Sequence, residues 1–473
     1  MTSVTRKIAL NTGAQVAGKI VVTIVAAVSV IILTRYLGAA DYGKFNLAIA
    51  YLSLFSIFAD VGLFTIVVRE ISKDPEKTEE ILGNVMTLRL ALALLVILLG
   101  IVISLFLPYP PDVRTAIVIV GASILFGLVN SSMVTVFQAR LRMDYAVLSD
   151  TVGRIVAFLA VLLVAWLNLG FYAIVSTAAI GAFASLLVTY YFARKMVRIR
   201  FLRDYQVHKK LLLTAIPLGL AIAINQIYFR ADIFLLSLFR PYTEVGMYSL
   251  AGKLLEIILS FAGFFQNSVF PLISKYVADG DARLQGTFQT SFDVLVAAGI
   301  PLTVGGVILA PAIIRLAGGA QFADSAGLFQ ALIIATTFAF VTGLFSLGMI
   351  AKEKVRVLLW LNLIFLVFNV ALNIIFIPIY GAMASAVITS LSEGLIVIGI
   401  SIMARRIFGF YPSLERLPRI LLAAGVMGVF LWSLRDASVF FLMPVGAALY
   451  ATVLYFVKGI DPSILAKLRK SHG

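Results

Sequence analysis

The 473-residue chain has no cysteine. That excludes disulfides, thiolate metal sites and cysteine nucleophiles. Histidine is almost as scarce. His208 and His472 are the only two, and both stand in basic segments, so neither a histidine metal centre nor a catalytic triad is expected. Charge is short as well: 13% of residues are charged, against about a quarter in an ordinary soluble domain. Long polar loops are missing, which leaves no room for an extramembrane catalytic domain and counts against an enzyme. A cleavable signal peptide is not expected either. The first apolar stretch, from Ile8 to Leu33, is too long, and no small-residue cleavage pattern follows a short core.

What is present is apolar. Hydrophobic residues make up 61% of the chain, more than a water-soluble protein could hide. A helix of about 20 apolar residues crosses the hydrocarbon core. Runs of that kind fall near 8–34, 44–66, 82–107, 115–139, 147–167 and 170–193. A second set falls near 211–238, 245–271, 287–310, 325–350, 357–378 and 381–404, and two shorter runs near 419–434 and 438–457. The expected fold class is all-α: a polytopic membrane protein with about 14 transmembrane helices.

The net charge is +15, from 38 Lys and Arg against 23 Asp and Glu. In a soluble protein this excess would point to nucleic acid. Here the charges follow the positive-inside pattern, so nucleic acid is not an expected partner. With the N-terminus in the cytoplasm, 27 basic residues fall in inside segments, including the cluster Arg194, Lys195, Arg198, Arg200, Arg203, Lys209 and Lys210. Only Arg35, Lys44, Arg114, Arg240, Arg315 and Arg435 fall outside. The expectation is a multi-pass protein of the cytoplasmic membrane with both termini inside, its basic loops facing membrane lipids.

The sequence also repeats. A shift of 203 residues lays Asp41-Tyr-Gly43-Lys-Phe45 on Glu244-Val-Gly246-Met-Tyr248, Gly83 on Gly286 and Pro108 on Pro311. A further shift of eight lays Gly170 on Gly381 and Arg194 on Arg405. Six spans per unit is an even number, so both units enter the membrane in the same sense, a parallel repeat with a pathway between lobes that can rock. The expected division is an N-terminal six-helix lobe at 1–200, a second at 201–406, and two extra helices with a basic tail at 407–473. Pro217 and the series Gly299, Pro301, Gly305 and Gly306 interrupt helical runs, as hinges or as static kinks.

Ionisable groups inside the spans are costly and are functional candidates by default. The basic ones are Lys19, Arg89, Arg154, Arg230 and Lys253; the acidic ones are Asp60, Asp232, Glu256, Asp293 and Glu393, with Asp150 near a cytoplasmic end. Bland readings compete. Lys253 and Glu256 lie three apart on one helical face and suit a local ion pair, while Arg89 and Arg154 could snorkel toward headgroups. Lys19 shares a stripe with Asn11 and Gln15, as a cavity-lining face would. None of Lys19, Arg89, Arg230 and Lys253 has a charged counterpart in the other repeat. Staggered cations in a cavity suit a large phosphate-bearing substrate. The carboxylates are alternatively candidates for proton or sodium coupling.

The stretch Thr34-Arg-Tyr-Leu-Gly-Ala-Ala-Asp-Tyr-Gly-Lys-Phe45, then Asp60-Val-Gly-Leu63 and Arg69-Glu70, with the echo at Asp232 and Glu244-Val-Gly-Met-Tyr248, resembles the polysaccharide-transporter branch of the MOP flippase superfamily. That superfamily also holds MATE exporters and the lipid II flippase MurJ. The resemblance implies a Wzx-like flippase moving a polyprenyl-pyrophosphate-linked oligosaccharide from the inner to the outer leaflet by alternating access. It implies Lys19, Arg89, Arg154, Arg230 and Lys253 as cavity cations, and glycosyltransferases and a glycan polymerase as partners. No cofactor is implied. The alternatives are an ion-coupled small-molecule exporter, a lipid II flippase of the MurJ type or, least favoured, a membrane glycosyltransferase or polymerase.

Overall fold

The computed structural model describes the backbone of residues 3–60 and 62–459, and side chains from residue 22 onward except at 217, 218, 221, 222, 225 and 229. Among the described residues there are fifteen α-helices, two short 3-10 turns and no strand. In order they are α1 (Ser3–Asp60), α2 (Leu63–Lys73), α3 (Thr78–Phe106), α4 (Pro111–Ala139), α5 (Met143–Leu167), α6 (Phe171–Ala193), α7 (Tyr205–Phe239) and α8 (Tyr242–Ala278). There follow α9 (Arg283–Gly318), α10 (Ser325–Ile333), α11 (Ala335–Ala351), α12 (Val355–Tyr380), α13 (Ala382–Phe408), α14 (Leu417–Ser433) and α15 (Val439–Phe456). Eleven helical segments of the described residues are long and apolar enough to cross a bilayer, and α14 is a shorter apolar helix. Each apolar run read from the sequence falls for most of its length on described helix.

Two glycines explain where runs and helices differ. The 58 residues of α1 would stretch about 87 Å if straight, far more than the roughly 30 Å hydrocarbon core. Gly38 breaks it at φ 73, ψ 175, a backbone region open to glycine and strained for other residues. The run at 44–66 is broken in turn by Gly62, left-handed at φ 73, ψ 9. A β-carbon on Gly62 would stand 2.9 Å from the Gly219 backbone N, so α7 crosses tight against the gap between α1 and α2. The helix therefore ends at Asp60.

The chain forms two compact units, Met1–Gly246 and Met247–Gly473. In the first, α5 and α6 pack side by side, α4 lies against α6 and α3, and α7 against α1, α2 and α3. Small residues let backbones meet there, as membrane helices require. A β-carbon on Gly153 would sit 2.8 Å from the Gly181 carbonyl, and one on Gly181 would sit 2.7 Å from that of Gly153. The repeat-related glycines also touch. Gly43 faces the Tyr242 carbonyl, and Gly246 faces the Ala39 carbonyl.

In the second unit α9 is central, packed by α10, α11, α14 and α15, while α13 lies on α10, α11 and α12. The Tyr450 hydroxyl of α15 donates to the Ala297 carbonyl of α9 at 2.6 Å. Helices α14 and α15 thus join the core of this unit.

Candidate functional site

An open cavity of about 400 Å³ lies in the first unit, lined by Ser56, Asp60, Phe64, Ile124, Gly127, Leu128 and Ser131. Its walls follow from helical spacing. Ser56 and Asp60 are one turn apart on α1, and Ile124, Gly127, Leu128 and Ser131 form one stripe on α4. Gly127 leaves space: none of the described residues lies within 4 Å of where its β-carbon would be.

Behind this wall stands Arg89 of α3, fully buried at 0% exposure. Its Nη2 donates to Asp60 Oδ1. Its Nη1 donates to Ser131 Oγ at 2.9 Å and to Ser132 Oγ at 3.0 Å. Both hydroxyls spend their own protons on the Leu128 carbonyl, at 2.9 and 3.1 Å, which leaves lone pairs for the guanidinium. The Arg89 Nε has no hydrogen-bond partner among the described residues. Asp60 is the other half of an asymmetric pair: its side chain is 32% exposed against 1% for Arg89. A carboxylate at a helix C-terminus is unfavourable by dipole, and Arg89 neutralises both the charge and the helix end.

This corrects the expectation for Arg89. It neither snorkels nor offers a free guanidinium to the cavity, because Asp60 and the two serines enclose it. Arg154 is exposed and pairs with Asp150 one turn away at 3.2 Å. Lys253 pairs with Glu256 at 2.8 Å, the local arrangement that their spacing allows. Arg230 is half-buried on α7 with no ion pair among the described residues, and Lys19 lies outside the described side chains. Among the carboxylates, Asp232 on α7 and Glu393 on α13 are buried. Asp293 is held by Arg416 Nη1 at 2.7 Å and by Gln289 Nε2 at 3.0 Å, a structural tie between α9 and the segment leading into α14. The structure joins Arg89 to Asp60 in the first unit and Lys253 to Glu256 in the second. No cluster of metal-ligating side chains occurs among the described residues.

The profile of the family described as "Polysaccharide biosynthesis protein" matches residues 8–277, more than half of the chain and all of the cavity. The chain belongs to that family. It is a membrane flippase of the MOP superfamily, and the MatE profile matches its residues 217–375. No curated protein sequence matches it. Solved structures share the flippase's fold. The lipid II flippase MurJ in an inward closed conformation superposes at TM-score 0.79 with 16% identity, over 94% of this chain and 98% of that one. An inward-facing multidrug-resistance MATE transporter gives 0.64 at 14% identity, over 81% and 93%. A MOP transporter from Pyrococcus furiosus, titled for the reversed polarity of its binding pocket, gives 0.56 at 12% identity, over 85% and 94%.

Proposed function

We propose that this flippase carries a polyprenyl-pyrophosphate-linked oligosaccharide from the cytoplasmic to the outer leaflet for surface glycan assembly. It acts by alternating access in the cytoplasmic membrane, with both termini inside. The observation that carries the reading is the Arg89–Asp60 pair at an open cavity, in a chain matched over 8–277 by a polysaccharide biosynthesis family. The pair is nearly neutral at rest. Asp60 is its accessible member, so an incoming phosphate can take the place of the carboxylate on Arg89 and inherit the bonds to a charged donor. Exchange of one anion for another avoids leaving a buried guanidinium uncompensated. Lys19 and Arg230 are further candidate contacts, and Arg154 and Lys253 could contribute only by giving up local partners.

The same pair weighs against a cationic-drug exporter. Such a substrate needs a carboxylate with charge to spare, and Asp60 is already neutralised. Flipping of lipid II is the second reading, favoured by the fold likeness to MurJ. Glycosyltransferases and a glycan polymerase would supply and consume the product of the first reading.

The test is surface glycan in cells that depend on this gene. Arg89→Met and Lys19→Ala should each lower it at unchanged membrane abundance. Wild-type glycan in both variants would remove these residues from the transport path. Rescue of cells depleted of their lipid II flippase would favour the second reading.

A further inference from the structure

The connection between α6 and α7, residues 194–204, has no regular structure, yet it is firmly held. The Leu202 N–H donates to the Gly83 carbonyl at 3.2 Å. The Arg198 N–H donates to Glu79 Oε1 at 3.1 Å, and the Asp204 N–H to Asn84 Oδ1 at 2.7 Å. All three acceptors belong to the first turns of α3. The approach is close: a β-carbon on Gly83 would fall 2.7 Å from the Arg200 carbonyl. Alternation typical of extended chain sorts the side chains. Val197 is buried and Ile199 packs on the same core, while Arg198, Arg200 and Arg203 are exposed.

Arg194 and Lys195 continue the basic row at one end, and Lys209 and Lys210 on α7 continue it at the other; all four are exposed. None of these seven forms an ion pair among the described residues. Two carboxylates beside the row are otherwise engaged, Glu79 with the Arg198 N–H and Asp204 as the cap of α7. Exposed aromatics accompany the charges: Phe201 at 62% and Tyr205 at 71%. Tyr191, at the end of α6, carries Lys195 Nζ 4.0 Å above its ring.

We propose that this strap is a preformed binding site for the headgroups of anionic phospholipids. The position, between the end of one apolar helix and the start of the next, sets it at the depth where headgroups lie. Basic clusters beside a membrane span attract anionic lipid, and aromatic side chains settle at that same interface. A soluble acidic protein would match the charge but would give exposed Phe201 and Tyr205 no apolar layer to enter. The tethers to α3 matter because a held array loses little freedom on binding.

The experiment places the purified full chain in nanodiscs of phosphatidylcholine with a minority of phosphatidylglycerol and measures the composition of the retained lipid. The wild type should enrich phosphatidylglycerol severalfold over the bulk ratio. The triple variant Arg198→Gln, Arg200→Gln, Arg203→Gln should fall to that ratio, while Lys354→Gln, Arg356→Gln, Arg405→Gln, with the same charge change elsewhere, should keep the enrichment. Asn84→Ala, which keeps every charge but cuts one tether, should give an intermediate value even if the triple variant fails to accumulate. No enrichment in the wild type, equal enrichment in the strap variant, equal loss in the control triple, or an unchanged value in Asn84→Ala would each overturn the proposal.

Discussion

The asymmetry of the Arg89–Asp60 pair makes an unequal prediction for its two halves. Removing Asp60 leaves a fully buried guanidinium with only serine oxygens to bond, near the upper part of the roughly 3–5 kcal/mol range for breaking a buried pair. Removing Arg89 leaves a carboxylate that already reaches the cavity, and should cost less. Thermal unfolding in detergent should therefore rank Asp60→Ala below Arg89→Met, with the double variant Asp60→Leu, Arg89→Met more stable than Asp60→Ala alone. Equal losses would mean that burial of Arg89 is not the controlling term. The sequence marked both residues because any charge in an apolar run stands out. It could not mark Ser131 and Ser132. A serine inside an apolar helix bonds to its own preceding turn and gives no periodic signal, so only the fold reveals that two of them face Arg89. Nor could charge alone tell a cavity cation from a local pair: the three-residue spacing of Lys253 and Glu256 suited the ion pair they form, whereas Arg154, read as a cavity or snorkelling cation, pairs with Asp150 one turn away.

At the scale of helices, packing separates glycines that hold the fold from the one that holds space. Gly153→Leu or Gly181→Leu would drive side-chain atoms into a facing carbonyl, and should lower thermal stability by about 1–3 kcal/mol or more with reduced membrane abundance. A β-carbon at Gly127 meets none of the described residues within 4 Å, and Gly127→Leu projects into the cavity. It should leave stability and abundance near wild type while sharply lowering surface glycan. Wild-type transport in that variant would show that the cavity is not on the substrate's route. The helices themselves were legible because hydrocarbon imposes both length and apolar composition on each span. The breaks were less so. Gly38 and Gly62 are two of 35 glycines, and nothing local distinguishes them. What makes glycine necessary is the geometry each one meets, above all the close passage of α7 beside Gly62.

For the whole molecule, the expectation of topology rests on the parity of the spans and the bias of basic residues, and the expectation of a duplication on the shift of 203 residues. The contact of Gly43 with the Tyr242–Gly246 turn gives that duplication a physical trace, since both partners of the pair lack a β-carbon where backbones meet. Gly246→Ala would set its methyl against the Ala39 carbonyl and should reduce folded protein as judged by detergent-resistant monodisperse yield. Substrate identity is the least legible property. It depends on a few polar contacts inside a scaffold that the MurJ and MATE structures share with this chain at 14–16% identity, so composition and hydropathy are silent on it.

The most direct test of the central claim is transbilayer movement of a polyprenyl-pyrophosphate-linked oligosaccharide in vesicles containing the purified chain. It should be measured for the wild type and for Asp60→Leu, Arg89→Met, which keeps the site packed but removes both charges. The account predicts flipping by the wild type and only background movement with the double variant. Movement at the wild-type rate in the double variant would contradict it.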